Sequence, residues 1–140
     1  MPTLRAYLLL AGLLLTASLS FAQTQGQLNA TAYARYQKAD QVLNRTYQAI
    51  LKQYRTDTLF IQNLNKAQRL WLQLRTADLR ARYPEYESGH YGSFQPVCES
   101  DELTALTEAR TRQLRIWLTG VPEGEMCTGS VKFVPEPKRK

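Results

Sequence analysis

Between residues 27 and 54, apolar side chains return at spacings of three, four and seven. Leu28, Ala32, Ala39, Leu43, Ile50 and Tyr54 form the series, and Tyr36 and Tyr47 fill the same stripe. A period near 3.6 places them on one face of an α-helix. No Gly or Pro interrupts the segment, and Lys38, Arg45, Lys52 and Arg55 fall outside the stripe. A second helix is predicted to start at Asp57 or Thr58, either of which can cap exposed backbone N–H groups. Phe60, Leu64, Ala67, Trp71, Leu74 and Asp78 step along one side of it, with Gln68 and Arg75 flanking Trp71 at i−3 and i+4. It is expected to reach Arg82, because Pro84 disfavours helical backbone just before it. The short connection predicts an antiparallel hairpin of these two helices.

The segment from Tyr83 to Cys98 then breaks the periodicity. It holds Pro84, Ser88-Gly89, Gly92-Ser93 and Pro96, and also Tyr83, Tyr86, His90, Tyr91 and Phe94. A loop of this length is either packed by its own aromatic rings or used for binding. A third helix is predicted from about Asp101 to Thr119, capped by Ser100 or Asp101, with Leu103, Leu106, Arg110, Leu114 and Trp117 on a broad face. Gly120 is placed to end it and Pro122 prevents continuation. The rest, residues 121–140, reads as irregular, with Val131-Lys132-Phe133-Val134 as a short extended piece. The expected fold is therefore all-α: a helical hairpin plus a third helix, a long loop and an irregular C-terminal tail.

The first 22 residues follow a different rule. Arg5 precedes the apolar run Leu8-Leu9-Leu10-Ala11-Gly12-Leu13-Leu14-Leu15, and Ser20-Phe21-Ala22 supplies small residues before Gln23. This is the pattern of a secretory signal peptide, with cleavage expected near Ala22. The run is shorter than a membrane span requires, and no other stretch is apolar enough, so no span is expected in the mature form. No Cys follows the run to receive a lipid. The expected organisation is a leader over 1–22, a helical domain over 23–120 and a C-terminal segment over 121–140, in a periplasmic or secreted protein.

Export alters what composition means. The chain of 140 residues carries a formal net charge of +6, but Arg5 leaves with the leader and Lys138-Arg139-Lys140 sit on a Pro-rich terminus. The folded part is close to balanced, which argues against nucleic acid as partner. Two Cys, Cys98 and Cys127, can pair in an oxidising compartment. Such a bridge would contribute roughly 3–4 kcal/mol in the chain-entropy model. Two Cys and one His lack the paired spacing of a structural zinc site, so no metal or cofactor is expected. There is no nucleophile elbow, phosphate loop or zinc-protease motif. Glu85 and Glu87 are two apart on a loop without fixed geometry. No catalytic residue is assigned, and an enzyme is not expected.

Several of these residues recur together in a recognisable order. The first helix carries Ala39-Asp40 and Leu43-Asn44-x-x-Tyr47; the second carries Leu64-x-x-Ala67-Gln68-Arg69-x-Trp71 and Arg75-x-Ala77-Asp78. Gly92-Ser93 and Cys98 follow, then Leu106-Thr107-Glu108-x-Arg110-Thr111-x-x-Leu114. In this order and spacing the chain resembles the LprI-like lysozyme inhibitor family of small exported bacterial proteins. Thr31 and Leu79 stand where family members often carry Cys. The resemblance implies a helical envelope domain and inhibition of a lysozyme.

On the residues themselves, Trp71 reads as core, while Asp40 and Asp78 are the carboxylates available to Arg75 and Arg110 in an interhelical network. The alternative is that Gln68, Arg75 and Arg110 line a binding groove. For cleft blockage, the expected contact surface is the loop with Tyr83, Glu85, Tyr86, Glu87, His90, Tyr91 and Phe94. Its rings serve as anchors and its acids suit a basic target. The expected partner is a lysozyme or another envelope protein. The rival expectation is a structural or ligand-binding envelope protein that contacts peptidoglycan.

Overall fold

The computed structural model describes the backbone of residues 2–134 and the side chains of residues 24–134. The side chains around the expected cleavage at Ala22, and the basic end Lys138-Arg139-Lys140, lie outside the described residues. Three helices dominate: α1 (Pro2–Gln53), α2 (Thr58–Arg82) and α3 (Gln95–Thr119). A short parallel bridge joins β1 (Val121–Pro122) to β2 (Phe133–Val134), with Val121 opposite Phe133. Among the described residues no helix is long and apolar enough to cross a membrane.

Cross-helix contacts fix the directions. Tyr47 meets Asn65 and Asp40 meets Arg75, so α1 and α2 run antiparallel, as the short turn requires. Arg75 meets Thr107 and Gln68 meets Arg110, so α2 and α3 are antiparallel as well. Arg35 meets Asp101 and Gln53 donates to the Trp117 carbonyl, so α1 and α3 run parallel. The α1–α3 contact is the closest of the three.

The start of α2 agrees with the sequence: the Asp57 carboxylate accepts from the Phe60 N–H at 3.0 Å. Two other starts do not. The first helix does not begin near Gln27 but runs unbroken from Pro2, since nothing before residue 27 stops it. The third begins at Gln95, six residues ahead of Asp101. Pro96 acts as a helix starter there rather than a breaker, because a first-turn residue needs no N–H partner. Ser100 and Asp101 consequently cap nothing. The Ser100 hydroxyl donates to the Pro96 carbonyl at 2.8 Å, and Asp101 pairs with Arg35 at 2.6 Å. The loop shortens to residues 83–94.

Leu43, Ile50, Tyr54, Leu64 and Leu114 form the apolar core, joined by Tyr47, Phe60, Trp71 and Trp117. Full burial of an aliphatic side chain of this size stabilises by about 1.5–3 kcal/mol. Along the α1–α3 seam the other buried residues are small apart from Val97: Ala32, Ala39 and Thr46 on α1, and Ser100, Thr107 and Thr111 on α3. Small side chains let two helix axes approach closely, which accounts for the tight α1–α3 seam. Of the expected stripe, Ala32, Ala39, Leu43, Ile50 and Tyr54 are buried, Tyr36 and Tyr47 are half-buried, and Leu28 is 44% exposed near the start of the described side chains.

The buried face of α2 is rotated from its expected position. Leu64, Gln68, Trp71, Arg75 and Leu79 turn inward, while Ala67, Leu74 and Asp78 are exposed. Polar partners on the neighbouring helices outweigh the apolar count of the sequence stripe.

The expected Cys98–Cys127 bridge is not formed; both residues are free thiols. Cys98 lies in the first turn of α3 and Cys127 follows its C-terminus. The segment after α3 is held at that end. The Trp117 indole donates to the Ser130 hydroxyl at 3.0 Å and the Val121 N–H to the Lys132 carbonyl at 3.1 Å. The intervening helix spans roughly 30 Å, whereas a disulfide needs Cα atoms within about 7 Å.

Candidate functional site

The polar residues of the shared motifs meet inside the bundle. One guanidinium nitrogen of Arg75 donates to Asp40 Oδ1 at 3.1 Å and to Thr107 Oγ1 at 2.9 Å, so one side chain of α2 holds both other helices. The Thr107 carbonyl in turn accepts from the Thr111 hydroxyl at 2.9 Å. Arg75 Nε is buried without a hydrogen-bond partner. Its guanidinium carbon lies 5.0 Å from the Trp71 ring centroid and 5.6 Å from that of Tyr36, and these rings supply electrostatic compensation.

Arg110 takes the second contact with Trp71, at 5.8 Å. Its Nε donates to Gln68 Oε1 at 3.1 Å. Burial pulls its guanidinium pKa below the ordinary value. Two of the sequence expectations are corrected here. Asp78 is exposed and forms no ion pair among the described residues. Arg110 pairs with an amide instead of a carboxylate. Thr107 and Tyr36 are members that the sequence reading did not assign. Thr107 stood in the Leu-Thr motif, and its helical offset from Arg110 was the available signal.

The loop forms a second, separate group. Tyr83 packs edge-on against Tyr91 at 5.6 Å, while Tyr86 lies 4.6 Å from His90 and 6.0 Å from Tyr91. His90 and Tyr91 are also edge-on, at 4.8 Å. Backbone turns tie the segment: Tyr86 N–H to the Pro84 carbonyl, His90 N–H to Glu87 and Gly92 N–H to Gly89. Gly89 and Gly92 have φ of 84° and 74°, a left-handed backbone that glycine adopts without steric cost. An Arg82–Glu102 ion pair and a Gln95–Glu99 hydrogen bond brace the two loop ends.

The rings are divided between packing and solvent. Tyr83 and Tyr91 are half-buried, whereas Tyr86 is 59% and Phe94 49% exposed. Glu85, Glu87 and His90 are exposed, with His90 Nδ1 3.8 Å from Glu87 Oε1. Loss of solvent raises the Tyr91 phenol pKa, and the neighbouring Tyr86 and Tyr83 add to it. Behind the rings is a concavity of about 410 Å³ that includes Arg80 and Glu99 in its wall.

Polar side chains that join three helices, with an aromatic loop at one end, define a small all-α domain. The chain belongs to the lysozyme inhibitor LprI family, whose model matches residues 16–114. That span takes in most of α1, all of α2 and the loop, and α3 as far as Leu114. No curated protein and no solved structure matches the chain.

Proposed function

We propose that this protein is an exported, non-enzymatic inhibitor that blocks the substrate cleft of a lysozyme with the loop over residues 83–94. Family membership supports the target class. The observation that carries the mode of action is Tyr86, 59% exposed between Glu85 and Glu87 and backed by the half-buried, edge-on pair Tyr83 and Tyr91. A pre-ordered loop loses little entropy on docking, and an exposed aromatic ring supplies contact area at low conformational cost. A glycosidase cleft holds two carboxyl groups around the scissile bond, so occupying it stops hydrolysis without any chemistry by the inhibitor. Glu85 and Glu87 provide charge complementary to a basic enzyme. The buried Gln68 and the half-buried Arg75 and Arg110 serve the fold in this reading, and the leader over 1–22 directs export.

The test is inhibition of chicken-type, goose-type and invertebrate-type lysozymes by the purified chain over residues 23–140. Micromolar or tighter inhibition of at least one is expected. Joint replacement of Tyr86, Glu87 and Tyr91 by Ala is expected to abolish it while helical CD is retained. Absence of inhibition across the panel overturns the proposal.

A further inference from the structure

A second concave surface lies along the α1–α3 seam, away from the aromatic loop. It encloses about 440 Å³, and its floor is formed by Ala39, Val42, Thr104 and Thr111. Four cations rim it: Arg35 and Lys38 from α1, and Arg112 and Arg115 from α3. Each pair is spaced i, i+3, so each helix presents two neighbouring positive side chains to the same groove. Arg35 is paired with Asp101 and closes the end nearest the loop. Lys38, Arg112 and Arg115 are exposed and make no ion pair among the described residues. Glu108 is the single acid in the wall.

We propose that this groove binds a linear polyanion that carries repeated oxyanion groups, phosphate or carboxylate. Three arguments support it. Cations converging from two helices on a concave, low-dielectric wall focus a positive field more strongly than the same charges on a convex face. Small floor residues allow a chain to approach the helix backbones, while guanidinium forks at the rim match oxyanion geometry. The lining from Thr104 to Arg115 extends along about 16 Å of helix, long enough for several consecutive charged units. The site is independent of the loop and of lysozyme inhibition.

The experiment uses the protein expressed from residues 1–140, with fluorescence-labelled long-chain polyphosphate, polygalacturonate and neutral dextran as probes. At about 50 mM salt one or both polyanions are expected to bind while dextran does not. Three unpaired cations predict a slope of about −2 for log K against log salt. Binding of polyphosphate alone identifies phosphate as the recognised group, and polygalacturonate alone identifies carboxylate. The combined variant Lys38→Ala, Arg112→Ala, Arg115→Ala is expected to weaken binding at least tenfold with an unchanged melting temperature. The control variant Arg55→Ala, Lys66→Ala, Arg80→Ala removes equal charge elsewhere and is expected to change binding less than twofold. Replacing Tyr86, Glu87 and Tyr91 is expected to leave it unaltered, which separates this site from the loop. Equal losses in the groove and control variants, or no binding of either polyanion, overturns the proposal.

Discussion

Asp40 of α1 and Arg75 of α2 meet at 3.1 Å, and the nitrogen that joins them also donates to Thr107 of α3. The Arg75 side chain is only 11% exposed and that of Asp40 34%. Removing the arginine takes the paired cation from a partly buried carboxylate, which keeps its Asn44 hydrogen bond, and takes a donor from the Thr107 hydroxyl. Arg75→Ala is expected to cost about 2–3 kcal/mol, at or below the range for a fully buried pair because Asp40 keeps some solvent. Arg75→Lys keeps the charge but loses the planar contact with Trp71 and Tyr36, and is expected to fall between the two. Urea denaturation measures both, and an Asp40/Arg75 double-mutant cycle isolates the coupling.

Gly120 ends α3 with φ 72° and ψ −174°, a conformation costly for any other residue. A Cβ there would lie 2.6 Å from the Lys132 carbonyl oxygen and 2.7 Å from Val134 Cγ1. Gly120→Ala is expected to cost about 1–3 kcal/mol and to open the β1–β2 bridge. Faster amide exchange at Val121, whose N–H bonds Lys132, is the diagnostic signal.

Both thiols are expected to react in the folded protein. Cys127 is exposed and Cys98 half-buried at the base of the loop, so a thiol reagent is expected to label Cys127 first and Cys98 more slowly. A mass that falls short of two labels after unfolding without reductant would show that the cysteines pair after all.

Within the loop, Tyr86 and Phe94 are the exposed carbocyclic rings, and of these two only Tyr86 packs against neighbouring rings, His90 and Tyr91. Tyr86→Ala is expected to weaken lysozyme inhibition at least tenfold, corresponding to an anchor worth more than about 1.4 kcal/mol. Phe94→Ser tests whether the second ring contributes. Inhibition constants with unchanged CD spectra are the measurement.

The Tyr47 phenol donates to Asn65 Oδ1, and burial raises its pKa from 10.0 against an opposing effect of Arg69. A raised pKa means the folded state holds the proton where the unfolded chain releases it. Its contribution is therefore complete below about pH 10 and is lost as pH rises through the folded value. Tyr47→Phe is expected to flatten the fall in melting temperature above pH 10, at the cost of the Asn65 bond at neutral pH.

Much of this architecture was legible from residue order. Asp57 and Pro84 marked both ends of α2, Gly120 marked the end of α3, and the short turn near residue 55 imposed the hairpin. These are local matters: a cap, a ring that forbids helical backbone and a left-handed glycine each act within a few residues. The loop was equally visible as a cluster of breakers and rings. The start of α3 was misread because proline stops a helix in its interior yet suits its first turn.

What only the tertiary structure decided depends on partners distant in sequence. Periodicity on α2 counted Leu74 and Ala67 as inward, but the Asp40 carboxylate and Thr107 hydroxyl are available on the other two helices, and Arg75 turns to meet them. Asp78 was an equal candidate by sequence and is left in solvent. Two cysteines in one chain made a bridge plausible until α3 was seen to hold their segments at opposite ends. The division of the loop rings between packed Tyr83 and Tyr91 and exposed Tyr86 and Phe94 is likewise a matter of contact. Sequence determined the number of helices and where α2 and α3 end, because those signals are short-range. Which side of each helix faces inward, and which polar group finds a partner, required all three helices in place.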